Sequence, residues 1–255
     1  MISLYDNVLV AKIYKLGESN KLSYINFIIF VTQSKYNSML SYTEENYLKA
    51  LLKISFESGL DEAGTNELAS ALAVKPATVN DMLKKLKEKK LVDYQKYGKI
   101  NLTAKGKKNA VYIIRKHRLW ETFLYKKLDF SWDEVHEVAE QLEHIQSPKL
   151  IDKLDKFLEF PEFDPHGDPI PDKQGRLKIQ NRKTLTDIAV GSKCKMVAVK
   201  DNSSSFLQYV VKVGLGINNE IKILSRQEYD SITVIEVNGK RSSVSQKFSE
   251  NIFVI

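Results

Sequence analysis

Cysteine is almost absent from this chain of 255 residues, and the single Cys194 excludes an intramolecular disulfide framework and a redox pair of thiols. One cysteine fits a reducing cytosol, so we expect a cytoplasmic protein. The most apolar run, Tyr24 to Val31, is far shorter than the roughly 20 residues of a membrane span, so no membrane partner is expected. The sequence also lacks an HExxH motif, a Gly-rich phosphate loop and a nucleophile motif, and we do not expect an enzyme.

Positive charge is in excess, with 39 Lys and Arg against 32 Asp and Glu and a net charge of +7. Such an excess favours an anionic partner, either nucleic acid or a membrane surface. The lysines concentrate between residues 75 and 108, where Asp81, Glu88 and Asp93 are the only acidic residues.

The same region has the pattern of a winged helix-turn-helix. We predict a helix from Thr43 to about Glu57, a short helix over 65–74, a third helix over 77–92, and a hairpin turning at Tyr97-Gly98. In this fold the second helix of the turn lies in the DNA major groove, and lysines contact phosphates. The candidate DNA-binding residues are Lys75, Ala77, Thr78, Asn80, Lys84, Lys96 and Lys99. The alternative is a lysine-rich solvated helix in a domain with another role.

Histidine is scarce, but three of the four histidines lie in two His/Glu clusters. One cluster falls within an arc of roughly 100° on a single predicted helix and comprises His136, Glu140, Glu143 and His144. The other, His117 with Glu121, repeats the four-residue spacing one helix earlier. Neutral imidazole and carboxylate oxygens suit Mn, Fe, Co, Ni or Zn ions, so the pattern predicts a divalent-metal surface. A solvated helix face with chance histidines is the alternative.

The C-terminal part has a different texture. After a Pro- and Gly-rich loop, β-type runs are predicted at 197–199, 206–213, 220–224 and 231–237, and Asn238-Gly239 is a strong hairpin signal. Short strands over about 70 residues predict a small barrel of SH3 type. The expected fold is mainly α with α+β parts. The expected segments are an extension upstream of a natural start at Met39 (1–38), a winged helix-turn-helix (39–103), a helical metal-binding and dimerisation domain (104–175), a linker (176–186) and an SH3-like domain (187–255).

Six segments, taken in order over residues 39–255, resemble the diphtheria toxin repressor family of iron- and manganese-dependent transcriptional regulators. They are TEENYLKALLKI, ELASALAVKPATVNDMLKKL, GKINLTAKGK, RKHRLWETFL, VHEVAEQLEH and DPHGDPIP. The resemblance implies a winged-helix domain, a metal-binding dimerisation domain and a C-terminal SH3-like (FeoA-like) domain. It also implies a homodimer on a palindromic operator in double-stranded DNA, and repression of metal-uptake genes.

The resemblance implies two metal sites as well. One would use Asn46, Glu140, Glu143 and His144, and the other His117, Glu121 and His136, with Asp201 as a further candidate. Family members tuned to iron carry Cys where this chain has Glu140. A carboxylate is harder than a thiolate, so Mn²⁺ is expected, with Fe²⁺ as the alternative. Relatives usually have Met or Asp where this chain has Asn46, a neutral and weaker ligand that Glu45 or a water could replace. His166 is expected to shape the DPHGDPIP loop.

Two other functions compete with this interpretation. A metal-independent DNA-binding protein that kept the fold is favoured by Asn46 alone. A dinuclear metalloenzyme would need an open coordination position and a substrate pocket with an acid or base. Substituting Glu143 and His144 together separates a metal switch from a constitutive DNA-binding protein.

Overall fold

The structure is a computed structural model that describes residues 40–94, 98–178 and 180–255. The expected extension 1–38 and Met39 lie outside the described residues. Residues 45–255 form one compact unit, and residues 40–44 belong to another. In the latter, Ser41 N donates to Glu44 Oε2 (2.8 Å) and Glu44 N donates to Ser41 Oγ (3.3 Å), as at a helix start. No described helix is both long and apolar enough to span a lipid bilayer.

The N-terminal domain is a winged helix-turn-helix, which confirms the predicted fold. Its elements are α1 (Tyr42–Ser58), β1 (Glu62–Ala63), α2 (Thr65–Ala71), α3 (Pro76–Glu88), β2 (Val92–Tyr94) and β3 (Ile100–Leu102). The three strands form an antiparallel sheet in the order β1-β3-β2. Pro76 occupies the first position of α3, where a missing N–H costs no helical hydrogen bond. Leu48, Leu68 and Leu83, one from each of the three helices, are fully buried.

Three helices follow and carry the His/Glu clusters. They are α4 (Ala104–Lys127), α5 (Val135–Leu142) and α6 (Pro148–Phe157). Thr103 Oγ1 accepts from Gly106 N (3.0 Å) and so caps α4. Leu119, Val135 and Ile151 are buried, one from each helix, and form an apolar core. Because the core packs α5 against α4, residues on their facing surfaces come close together.

The C-terminal domain is built on a six-stranded antiparallel sheet in the order β4-β9-β5-β6-β7-β8, which confirms the predicted SH3-like class. Its elements are β4 (Lys183–Thr184), β5 (Lys193–Val199), α7 (Ser204–Val213), β6 (Glu220–Arg226), β7 (Thr233–Val237), β8 (Lys240–Val244), α8 (Gln246–Glu250) and β9 (Ile252–Val254). Asn238 and Gly239 both have positive φ and join β7 to β8, as the hairpin signal predicts. Lys183, inside the expected linker, already pairs with Val254.

One predicted strand is wrong, because residues 206–213 belong to the helix α7. The segment is rich in Phe, Tyr and Val, which favour strands when the sequence is considered alone. Leu207 and Val210 lie three residues apart and are both fully buried in the core of the sheet domain, a helical spacing. Gly214 ends the helix with a φ of 84°, in the left-handed conformation of a helix C-terminus.

The DPHGDPIP loop is seated tightly between the helical domain and β5. Gly167 has a φ of +85°, and a Cβ there would lie 1.9 Å from Val197 O. Val199 N donates to His166 O (3.0 Å), and Trp132 Nε1 donates to Pro165 O (3.0 Å). The Trp132 side chain itself is part of the apolar core of the C-terminal domain. The loop is therefore held by β5 on one side and by Trp132 on the other, and the side chains of the loop are held with it.

Candidate metal centre

Three side chains converge on one point between α4 and α5, and we call His117, Glu121 and His136 the first cluster. His117 Nε2 lies 2.9 Å from Glu121 Oε1 and 3.1 Å from His136 Nδ1, and His136 Nδ1 lies 3.0 Å from Glu121 Oε1. His117 and Glu121 are buried, whereas the His136 side chain is 42% exposed. The four-residue spacing on α4 places two donors on one face, and the packing of α5 brings the third.

The mutual spacing of these three atoms suits a divalent ion. Adjacent ligands of an octahedral ion with bonds of about 2.1 Å are separated by about 3.0 Å, close to all three distances here. A tetrahedral ion would separate them by about 3.4 Å. Protons on the two imidazoles can satisfy the two approaches to Glu121 but not the approach between the two nitrogens, whereas one cation satisfies all three. The donor set therefore fits a divalent metal ion.

His117 is oriented by a partner behind it. Its Nδ1 lies 2.6 Å from Glu143 Oε2, and an ionised carboxylate can only accept, so Nδ1 carries the proton. When Nε2 is deprotonated, its lone pair then faces the first cluster, as in the carboxylate–histidine–metal arrangement. Burial lowers the pKa of His117, but the charge and hydrogen bond of Glu121 and the hydrogen bond of Glu143 outweigh it and raise that pKa to about 9. The charge of His117 in turn holds the pKa of Glu121 well below its usual value despite burial.

The DPHGDPIP loop adds two further donors that sequence reasoning missed. Asp164 and His166 are buried, and with Glu121 they bring three possible ligand atoms within 4.8 Å of one another. His166 Nε2 lies 2.9 Å from Trp132 O, which can only accept, so Nδ1 faces Glu121 Oε1 at 3.7 Å. Burial, followed by the negative charges of Glu121 and Asp168, raises the pKa of Asp164 to about 7. The DPHGDPIP motif was the available signal, but a histidine in such a loop is expected to shape the loop first, with a metal role for His166 as the lesser alternative.

The other predicted set, Asn46, Glu140, Glu143 and His144, does not converge in the same way. Lys49 Nζ lies among its carboxylates, 2.5 Å from Glu140 Oε1 and 2.8 Å from Glu143 Oε1. His144 Nδ1 instead lies 2.6 Å from Glu45 Oε2. The buried Asn46 Oδ1 has no hydrogen-bond partner among the described residues. The four expected ligands are thus divided between a lysine and a glutamate of α1. Glu140 and Glu143 still form a group with His117 whose possible ligand atoms lie within 4.8 Å of one another, and Lys49 contacts both of its carboxylates.

Asp201, the candidate from the C-terminal domain, follows β5. Its Oδ1 accepts from Ser203 N (2.8 Å), and within the described part of the chain it belongs to none of the groups of three possible metal ligands. It is two residues from Val199, which donates to the carbonyl of His166. Asp201 therefore lies near the loop without entering either cluster.

The predicted DNA-contacting residues lie on one helix and the wing. Lys75, Ala77 and Thr78 are exposed at the start of α3, and Lys84 is exposed further along it beside Asp81 (2.9 Å). Asn80 Oδ1 accepts from Tyr94 OH (2.7 Å), which holds the helix against β2. Lys99 pairs with Glu62 (2.8 Å), an exposed ion pair that a phosphate can replace at little cost, and Lys96 lies outside the described residues.

Comparison with known proteins agrees with the three-part architecture. Models of the iron-dependent repressor N-terminal DNA-binding domain, of the iron-dependent repressor metal-binding and dimerisation domain, and of the FeoA domain match residues 39–100, 103–172 and 183–255. The HTH-type transcriptional regulator MntR of Bacillus subtilis is 31% identical over 120 residues, 47% of this chain and 82% of that protein. A solved manganese-dependent transcriptional repressor in complex with manganese has a TM-score of 0.73 and 30% identity, covering 83% of this chain and 99% of that chain.

Fold and first cluster together define a winged-helix protein with a metal-binding helical domain. The chain belongs to the family of iron- and manganese-dependent transcriptional repressors, as the resemblance implies. Some relatives are much longer. A probable metal transport system membrane protein of Chlamydia trachomatis is 44% identical over 71 residues, 28% of this chain. The chain spans only 16% of that protein's length.

Proposed function

We propose that this protein is a transcriptional repressor that binds Mn²⁺, with Fe²⁺ as the alternative, at the first cluster. The observation that carries the proposal is the convergence of His117 Nε2, Glu121 Oε1 and His136 Nδ1 at 2.9–3.1 Å. A bound divalent ion would supply two positive charges that hold these donors together. Asp164 and His166 lie on the other side of Glu121 and extend the same donor surface.

Manganese or iron, rather than zinc, is favoured by the donor types. The clusters offer carboxylates and imidazoles and no thiolate, since Cys194 lies in the core of the C-terminal domain. The first cluster offers two imidazole nitrogens and one carboxylate oxygen, a set that suits Mn²⁺ or Fe²⁺, whereas thiolate-rich tetrahedral sites select zinc.

DNA recognition would be performed by α3 and the wing. The exposed Lys75 and Lys84 are placed to contact phosphates, and Thr78 is placed to contact base edges. A homodimer formed through the dimerisation domain would present two copies of α3 to a palindromic operator about one helical turn apart. These contacts supply the affinity for DNA. The metal would raise that affinity only by binding more tightly to the domain arrangement that binds DNA.

The hydrogen-bonded chain from the first cluster offers a route for that preference. His117 belongs to the cluster and contacts Glu143, and Glu143 contacts Lys49 on α1 of the winged helix. An ion that fixes the His117 ring would also fix Glu143, which contacts that ring. Glu143 would in turn fix the position of α1 through Lys49. Typical coupling free energies of 1–3 kcal/mol would change operator affinity on the order of tenfold to a hundredfold.

The proposal is tested by selecting binding sites from random duplexes with Mn²⁺-loaded protein. The affinity for the selected sequence is then measured by fluorescence anisotropy with Mn²⁺ and with chelator. We expect Mn²⁺ to strengthen binding at least tenfold, and Glu121→Ala to abolish that gain while Glu137→Ala, an exposed position on α5, retains it. Equal operator affinity with Mn²⁺ and with chelator would refute the switch, even if DNA binding persists.

A further inference from the structure

We infer that Lys49 supplies the cation of the Glu140/Glu143 carboxylate pair, so that the protein takes up its regulatory metal at the first cluster alone. This inference rests on the proposed function, because it concerns which of two expected sites the ion enters. We call Lys49, Glu140 and Glu143 the lysine cluster.

The lysine cluster is compact and largely buried. Lys49 Nζ lies 2.5 Å from Glu140 Oε1, and 2.8 Å and 2.9 Å from the two oxygens of Glu143. The Glu143 side chain is fully buried, the Lys49 side chain is 19% exposed and that of Glu140 is 34% exposed. The three N–H donors of the ammonium match Glu140 Oε1 and the two oxygens of Glu143, so Lys49 occupies the point on which these oxygens converge.

The charges of the lysine cluster also oppose the binding of a second metal ion. Two carboxylates facing one ammonium leave a single negative charge, which the Nδ1–H of His117 approaches at 2.6 Å from Glu143 Oε2. A divalent ion entering here would meet the like charge of Lys49 at close range in a poorly solvated place. Asn46, another of the expected ligands, is neutral and adds no compensating charge.

The residues that a second metal would need are also engaged by α1. Glu45 precedes Lys49 by four residues, so both lie on one face of the helix. Glu45 Oε2 lies 2.6 Å from His144 Nδ1, Gln146 Nε2 donates to Glu45 Oε1 (2.7 Å), and Lys116 Nζ lies 3.5 Å from the same oxygen. An acid and a base one turn apart therefore fasten α1 to the helical domain.

These contacts join the two domains through the protein's own charges. In this arrangement the ion at the first cluster acts on α1 indirectly, by fixing His117 and hence the carboxylate that Lys49 binds. Lys49 is thus a positioning residue that stands where the family's pattern places a second metal.

The test counts bound Mn²⁺ per chain by equilibrium dialysis and elemental analysis of the full-length protein. We expect one ion in the wild type, none in Glu121→Ala, and two in Lys49→Met, which keeps the chain length but removes the charge. Lys49→Arg retains the cation, and Lys53→Met changes an exposed lysine of the same helix, so both should keep the wild-type count.

Two results would overturn the inference while leaving the proposed function intact. The first is two ions in the wild type with one of them retained by Glu121→Ala, because it would show a second metal site with Lys49 present. The second is a folded Lys49→Met protein that gains no ion. If Lys49→Met fails to fold, the Glu121→Ala count still decides between one site and two. A wild type that binds no Mn²⁺ would overturn both the inference and the proposed function.

Discussion

Manganese affinity should depend steeply on pH, because the ion must displace a proton from His117. The neighbouring carboxylates raise the pKa of this buried imidazole to about 9 in the metal-free protein. The metal ligand is the neutral form, so below pH 9 each unit of pH costs about 1.4 kcal/mol of binding free energy. At pH 7 the cost is about 2.7 kcal/mol, equivalent to roughly a hundredfold in affinity. The affinity for Mn²⁺ should therefore rise about tenfold for each unit of increase in pH. This rise should continue to about pH 9, above the usual pKa of histidine.

Calorimetry can separate this expectation from ordinary histidine behaviour. We would titrate Mn²⁺ into metal-free protein at pH 6.5, 7.5 and 8.5, in two buffers with different ionisation enthalpies, and count the protons released. At pH 7.5 a pKa of about 9 predicts release of at least about one proton per ion, whereas a pKa of 6.5 predicts about 0.1 from that histidine. Affinity that is flat between pH 7.5 and 8.5, with proton release below about 0.2, would refute the assigned environment of His117.

Three further predictions follow from single contacts. Arg115→Ala leaves the buried Asp155 unpaired, since the two side chains are 2.7 Å apart and almost fully buried. We expect urea unfolding to show a loss of about 3–5 kcal/mol in the free energy of unfolding. A loss below about 1 kcal/mol would contradict a buried pair. Gly167→Ala places a Cβ 1.9 Å from Val197 O at a φ of +85°, so we expect a loss of at least about 2 kcal/mol together with weaker Mn²⁺ binding, and unchanged stability would contradict the tight seating of the loop. Lys84→Ala should weaken binding to all DNA sequences and reduce the salt slope by about 0.9, measured by anisotropy at several salt concentrations, whereas Lys212→Ala in the C-terminal domain should leave the slope unchanged.

Local signals predicted much of the fold. Lys75-Pro76 predicted the break before α3, and Asn238-Gly239 predicted the β7–β8 hairpin, because both act through backbone geometry that neighbouring residues set. The helix α7 was missed because its Val, Tyr and Phe content favours a strand locally. Its helical state depends on burying Leu207 and Val210 against a sheet assembled from distant residues.

The candidate site likewise has some features that residue spacing predicts and others that depend on tertiary packing. Spacing alone placed His117 and Glu121 on one face of a helix, whereas the approach of His136 depends on how α5 packs. Lys49 could not be foreseen, since a lysine on an amphipathic helix is usually exposed and its carboxylate partners lie 91 and 94 residues away. Asp164 and His166 face the cluster because a loop of unusual backbone folds inward, which residue spacing does not encode.

Trp132 has one more consequence. Its indole is embedded in the interior of the β-rich domain, while its main-chain oxygen holds the imidazole that faces Glu121. Removal of the C-terminal domain would expose the Trp132 indole to solvent. The Trp132 carbonyl would then no longer be held in place to orient the His166 imidazole. A shortened chain ending before residue 183 should consequently lose part of its ion-sensing surface, although none of the three converging donors has been deleted.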